Sequence, residues 1–270
     1  MKTYKRELTI AGSDSGGGAG IQADIKTISA CGCYAASAIT AVTVQNTLGV
    51  KAVQAIPVEI VTGQIEAVLE DIGADAIKIG MLNTSEVIEG IRTMLDKYKN
   101  PNVILDPVMV STSGHRLIEE SAINSLINNL LPAARAITPN IPEAEILLGG
   151  QKIEKQSQLP EAAKALAEKS HTSVLLKAGH LTEDKLVDMF YDAENGKMYE
   201  LPSVRIYTKN THGTGCTMSS AFASMLALGY SLPEAASKAK EFINDAIVAG
   251  AEYQIGNGFG PVKHFYKLWK

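Results

Sequence analysis

The sequence predicts an α/β fold, a central and mostly parallel β-sheet flanked by helices on both faces, and three observations carry that prediction. Short β-rich runs alternate with longer runs of helical period along most of the 270 residues, the rhythm of crossover βαβ units. Glycine-rich turns stand between strand and helix near both ends of the chain, where α/β proteins hold ligands. A composition of 46% hydrophobic and 20% charged residues supports a packed core, and α/β domains reach roughly 250 residues as one unit. One domain over residues 1–270 is therefore expected.

Residues 8–11 read as the first strand and 20–30 as the first helix, with Ile21, Ile25 and Ile28 at i, i+4 and i+7 and Gly32 as its stop. Residues 35–45 and 50–56 are the next strands, and Pro57 opens a helix carrying Ile60, Ile65, Val68 and Leu69. Strand 76–79, helix 85–98 and strand 103–105 follow. Strand 136–138 precedes helix 142–148, and helix 160–168 precedes strand 173–176; the stretch 149–158 between them is the one candidate boundary and reads equally as a loop insertion or a domain linker. Strands 186–191 and 197–201 flank Glu194-Asn195-Gly196, where Asn-Gly suggests the positive φ values of a tight antiparallel hairpin. Helices 214–228 and 233–249 end the chain, the second with Ala236, Ala239, Phe242, Ile243, Ala246 and Ile247 on one face for the sheet.

Charge and patterning remove several functions. A net charge of -4 without a Lys/Arg cluster disfavours a nucleic-acid partner. The longest apolar stretch, 34–44, is broken by Ser37, Thr40 and Thr43 and falls short of the ~18 residues of a membrane span. The charged N-terminus lacks a secretory h-region, so a cytoplasmic protein with reduced thiols is expected. Cys31 and Cys33 read as packing residues, while His115, His171 and His264 have no metal-ligand spacing. Neither Gly-x-Ser-x-Gly nor His-Glu-x-x-His occurs, which removes the common serine-hydrolase and zinc-peptidase readings.

Four constellations carry chemistry. Residues 12–20, GSDSGGGAG, hold more glycine than a plain turn needs and match neither a Walker A loop nor the dinucleotide spacing; they read as a backbone-lined ligand site. Residues 208–216, TKNTHGTGC, enter a helix whose unpaired amides and positive dipole end suit negative charge developing on a phosphoryl group. That field is expected to lower the Cys216 thiol below its usual ~8.5 and make it a base, although an isolated cysteine is ordinarily a small buried hydrophobe. Asp106, Asn140 and Glu143 follow strands and suit hydrated Mg²⁺, or else serve as helix caps beside prolines. Lys177, followed by Gly179 and His180, stands at a strand end as a phosphate neutraliser.

As a set these motifs resemble the ribokinase-like superfamily and, within it, the bacterial hydroxymethylpyrimidine/phosphomethylpyrimidine kinases of thiamine biosynthesis. The resemblance runs through almost the whole chain: AGSD and GGGAGIQAD at the start, Gln45-Asn46-Thr47, KIGML at 78–82, LDPVM at 105–109, TPNIPEA at 138–144, KAGH at 177–180, NTHGTGCT at 210–217, and GFGPV at 258–262 with His264. It implies that Asp24, Gln45 and Met81 hold an aminopyrimidine with backbone from Gly12 and Ala19. It implies likewise that Asp106, Asn140 and Glu143 organise magnesium and phosphate, that Lys177, Lys209 and Thr211 contact ATP, and that Gly213, Thr214 and Gly215 form an anion hole. Cys216 stands where much of the superfamily has an aspartate base.

Residues 110–116 are expected to form a mobile lid. Related pyridoxal kinases carry a second cysteine there, and Ser111-Thr112-Ser113-Gly114 in this chain disfavours efficient pyridoxal use. The function implied is ATP- and Mg²⁺-dependent phosphorylation of 4-amino-5-hydroxymethyl-2-methylpyrimidine and then of its monophosphate, by a homodimer. A vitamin B6 kinase is the alternative, and a non-catalytic pyrimidine sensor or a NAD-dependent oxidoreductase stands further off.

Overall fold

Strand alternation organises the molecule, because the period of two sends successive side chains to opposite faces of one sheet. The computed structural model describes residues 2–109 and 118–269. Its strands are β1 (Arg6–Asp14), β2 (Tyr34–Asn46), β3 (Gly49–Ala55), β4 (Ala76–Ile79), β5 (Val103–Leu105), β6 (Ala136–Ile137), β7 (Ser173–Leu176), β8 (Lys185–Asp192) and β9 (Lys197–Val204). They form one sheet in the order β3-β2-β1-β4-β5-β6-β7-β8-β9. The pairs from β2 through β7 are parallel, whereas β3, β8 and β9 join antiparallel at the two edges.

Leu8, Ile10, Ile77, Ile79, Val103, Leu105, Ile137, Val174 and Leu176 feed one apolar cluster. It is covered by α2 (Val58–Asp71), α3 (Ser85–Tyr98), α5 (Ile141–Leu147) and α6 (Leu159–Ser170). The alternate residues Ala76, Ile104, Ala136 and Leu175 face α1 (Gly20–Ala30), α7 (Thr214–Ala227) and α8 (Leu232–Gly250). The alternation also delivers Lys78, flanked by Ile77 and Ile79, to this second face with no exposed surface. An ammonium without water needs a counter-ion. Asp24, on the buried face of α1, supplies it at 2.9 Å and accepts as well from Thr9 Oγ1 (2.6 Å) and Ser220 Oγ (2.8 Å).

Three expectations need correction. Ile25 and Ile60 continue the apolar period of their helices yet are exposed, because each helix buries only the narrower stripe its neighbours cover. Asp192 pairs with Lys197, which makes the hairpin loop 193–196 rather than a two-residue turn; Gly196 alone in it has positive φ (63°), and the Asp192 carboxylate accepts from Glu194 N and Asn195 Nδ2. Finally, helix α4 (Glu120–Ser125) runs into a π turn (Leu126–Leu130) and a 3₁₀ turn (Leu131–Ala133), a stretch to which the sequence reading gave no element. Its signal was present, as Ala122, Leu126 and Leu130 lie at i, i+4 and i+8 and are buried. The 149–158 loop sends Ile153 into the core. The expected lid, 110–116, lies outside the described residues.

Candidate active site

The parallel strands end together along one edge, and their order turns back between β1 and β4, which opens a crevice beside both. A cavity of about 580 Å³ lies there. At one end Gly12 lies near the end of β1 and Ala19 follows it, Thr43 and Gln45 lie on β2, and Met81 follows β4. Across the middle stand Asp106, Asn140, Glu143 and Lys177 from the ends of β5, β6 and β7, opposite Thr211, Gly213, Thr214, Gly215 and Cys216 at the entry to α7. At the far end Leu186, Val204, Ile206, Ile243 and Ile247 stand beside Asp188, Arg205, Lys240 and Asn244.

An isolated parallel bridge between Asn140 and Lys177, three residues past the last β6–β7 pair, brings the lysine to the centre. Its ammonium lies 2.9 Å from Asp106 Oδ1, which also accepts from Thr138 Oγ1 at 2.9 Å. Burial opposes the charge on Lys177, but Asp106 and Glu143 outweigh it and hold its pKa above the ordinary value. Asn140 and Glu143 cap α5 reciprocally: Glu143 N donates to Asn140 Oδ1 (2.9 Å) and Asn140 N to Glu143 Oε2 (2.8 Å). They are caps and cavity residues at once. Burial, reinforced by Asp106, pushes Glu143 up to about 7 against the pull of Lys177. Two carboxylates beside one ammonium suit a cation that keeps several of its own waters, as Mg²⁺ does.

The turn into α7 is held open by a glycine. Gly213 has φ +77°, and a β-carbon on it would sit 1.9 Å from Gly18 O, so the two glycine-rich turns touch through backbone. Among the described residues the amides of Gly213, Gly215 and Cys216 have no acceptor, and a helix N-terminus that offers them is a seat for an anion. The Cys216 thiol behaves against expectation. Burial raises it to about 11, with Asp24 and Asp106 adding to the rise, while Lys78 and the Gly20 amide work against it. Desolvation and two carboxylates outweigh the helix field here, so the resting group is a neutral thiol.

The turn after β1 has a different internal logic. Asp14 Oδ1 accepts from Gly16 N (2.7 Å), and Oδ2 accepts from Gly18 N (3.0 Å), Ala19 N (2.8 Å) and His212 Nε2 (2.9 Å). Burial raises the Asp14 pKa, but His212 and these amides outweigh it and keep it below the ordinary value. An ionised carboxylate only accepts, so His212 carries its proton on Nε2. Gln45 Nε2, 3.3 Å from the same nitrogen, therefore finds no acceptor there and keeps a donor for the cavity.

The family model described as phosphomethylpyrimidine kinase matches residues 14–263. The chain belongs to the phosphomethylpyrimidine kinase family. It is 46% identical over 263 residues to the hydroxymethylpyrimidine/phosphomethylpyrimidine kinase of Rhizobium meliloti, covering 97% of this chain and 98% of that one. Among solved structures it resembles phosphomethylpyrimidine kinase from Clostridium difficile (TM-score 0.78, 44% identity, 90% of this chain and 99% of the other). It also resembles an ADP complex of Bacillus subtilis pyridoxal kinase (TM-score 0.88, 36% identity, 97% and 98%).

Of the residues to which the family resemblance pointed, all but two line the one cavity. Asp24 does not, because its carboxylate is buried in the ion pair with Lys78 behind the site. Lys209 does not either, being exposed two residues before Thr211. Sequence reasoning gave no role to Asp14 or His212. Both lie inside the quoted family motifs, and the signal was an acid within a glycine-rich turn, a side chain able to gather that turn's own amides.

Proposed function

We propose that this phosphomethylpyrimidine kinase family member transfers the γ-phosphoryl group of ATP to 4-amino-5-hydroxymethyl-2-methylpyrimidine and then to the monophosphate, giving the pyrophosphate. The observation that carries the reading is the order of groups along one cavity. Polar and thioether groups suited to a small heterocycle lie at one end, a cationic and anion-binding centre in the middle, and beyond it a mixed end suited to a nucleoside, where Ile243 and Ile247 stand beside Arg205 and Asn244. Gln45 offers an amide and Met81 a thioether to the pyrimidine, beside the backbone of Gly12 and Ala19. Asp106 and Glu143 would hold Mg²⁺, which when bound neutralises phosphate charge; Lys177, Thr211 and Asn140 face the phosphates.

In the first transfer Cys216 first gives its thiol proton to solvent, the hydroxyl oxygen bonds to the γ-phosphorus as its proton passes to the thiolate so formed, and the bond to the leaving ADP oxygen breaks. The free amides of Gly213 and Gly215 bind the charge that develops, while Thr214 N, of the same expected anion hole, donates to Thr211 O at 3.4 Å. In the second transfer the acceptor is already an ionised phosphate and needs no base.

We extend the reading to a cytoplasmic homodimer joined through β2 and the turn after it, where Val42, Val44 and Leu48 are exposed; sedimentation of wild type and Val44→Glu checks it. No helix among the described residues is long and apolar enough to cross a membrane.

Mass spectrometry of products from ATP, Mg²⁺ and an equimolar mixture of the hydroxymethylpyrimidine, pyridoxine and pyridoxal is the test. Two successive phosphate additions on the pyrimidine are expected. The pyridoxal kinase likeness favours a second reading, a vitamin B6 kinase; phosphate confined to the B6 vitamers would establish it instead.

A further inference from the structure

The C-terminal segment 256–264 lies after the last helix and belongs to no strand, yet it touches both halves of the active site. Towards the pyrimidine end it grips the turn after β2: Phe259 N donates to Thr47 O at 2.9 Å, and Gly258 N to Thr47 Oγ1 at 3.2 Å. A β-carbon on Gly258 would lie 1.9 Å from Thr47 O, so the contact requires glycine. Towards the anion-binding turn, Gly260 O accepts from His212 N at 3.0 Å. A β-carbon on Gly260 would lie 2.0 Å from Asn210 Oδ1.

The segment ends in a buried chain of polar groups. His264, 4% exposed, has Nε2 at 3.0 Å from Thr217 Oγ1, which lies 2.8 Å from Gly213 O. One hydroxyl hydrogen serves one acceptor, and a carbonyl oxygen cannot donate. Both contacts are hydrogen bonds only if His264 Nε2–H donates to Thr217 and Thr217 O–H donates to Gly213 O. Thr217 N also donates to Gly213 O, at 2.9 Å. Because the peptide unit is planar, the direction of the Gly213 carbonyl sets that of the Thr214 amide, which donates to Thr211 O at 3.4 Å, and so fixes the first turn of α7 that carries the free Gly215 and Cys216 amides. A threonine bonded back along its helix is common. Here a histidine from another part of the chain fixes its rotamer.

We infer that the strap 256–264 is a positioning element of the active site, in which His264 acts through Thr217 and Gly213 to set the anion-binding amides while Gly258 and Phe259 hold the Gln45–Thr47 turn. The inference rests on the kinase reading. Its two halves separate in kinetics: the hydrogen-bond chain governs turnover, and the grip on Thr47 governs binding of the pyrimidine.

The test is steady-state kinetics with the pyrimidine acceptor on the full-length protein, each variant checked by circular dichroism and thermal melting. Thr217→Val is expected to lower kcat about tenfold, a fraction of the ~100-fold that loss of a whole anion-hole donor costs, with the pyrimidine KM little changed. His264→Leu should lower kcat in the same direction, His264→Gln should restore most of it by keeping a donor, and the double variant Thr217→Val/His264→Leu should be no slower than Thr217→Val alone. Gly258→Ala should raise the pyrimidine KM and leave kcat nearly intact. Should Thr217→Val fold poorly, Thr217→Ser, which keeps the hydroxyl, is expected at wild-type kcat while His264→Leu remains slow. Wild-type kcat in both chain variants, or losses that multiply in the double variant, overturn the inference while leaving the kinase reading in place. A wild type that transfers no phosphate sinks both.

Discussion

The turn into α1 and the turn into α7 are both glycine-rich and both leave the carboxyl edge of the sheet, yet the first carries its own anion and the second does not. In the first, Asp14 gathers the amides of Gly16, Gly18 and Ala19, so those donors are closed to a ligand. In the second, the amides of Gly213, Gly215 and Cys216 have no acceptor among the described residues. The position is the same and the chemistry opposite: an internal carboxylate turns one loop into a rigid wall, and its absence leaves the other as a seat for phosphate. Counting glycines does not distinguish them. What distinguishes them is whether an acidic side chain sits where a bound anion otherwise would.

The largest effect should come from closing the second turn. Gly213→Ala forces a β-carbon against Gly18 O and is expected to lower kcat by ~100- to 1,000-fold, the range for loss of an anion-hole donor, in steady-state assays. Next, Cys216→Ala should slow the first phosphate transfer by ~100-fold or more and the second by less than about tenfold at saturating ATP. Equal slowing of both would make the cysteine structural. Since the thiol titrates near 11, the wild-type first transfer should also accelerate as pH rises from about 7 to 9, and single-turnover rates would reveal it.

Breaking the first turn is a smaller change. Asp14→Asn turns an amide donor towards backbone donors and leaves at least one unpaired, a cost of about 1–3 kcal/mol. The expected outcome is a pyrimidine KM about tenfold higher with little change for ATP, read from initial rates, because the loop lines the acceptor end.

The smallest effect is electrostatic. Glu143 titrates near 7 in the fold, above the unfolded carboxylate range, so it takes up a proton in the native state between about 4.5 and 7. Its contribution to stability is full below the lower value and fades as pH rises through the upper one. Cation binding has the opposite sign, since Mg²⁺ needs the carboxylate. Its affinity should fall by up to about tenfold per pH unit below 7, and Mg²⁺ titrations at pH 6 and 8 would measure it.

Much of this was legible in order along the chain. Helices 20–30 and 85–98 and strands 76–79, 103–105 and 173–176 keep the ends read from periodicity, because Gly32, Thr84 and the short buried runs punctuate them locally. Tertiary contacts decided the rest. Ile25 and Asp24 are neighbours on one helix, and only the packing of α1 against β1 and α7 exposes the isoleucine and buries the acid with Lys78 of β4. The Cys216 pKa went the other way for a related reason: a helix N-terminus is visible in sequence, whereas burial beside Asp24 and Asp106 is not.

By itself the sequence determined the alternation of strand and helix, the family, and the residue types gathered at the strand ends, because these follow from local period, turn chemistry and motif order. The tertiary structure alone decided which amides are closed and which are free, which acid pairs with the buried lysine, and that the C-terminal strap reaches both ends of the cavity. Those outcomes depend on groups far apart in the chain, such as Asp14 with His212 and Thr47 with Phe259, and no local pattern records a contact across that distance.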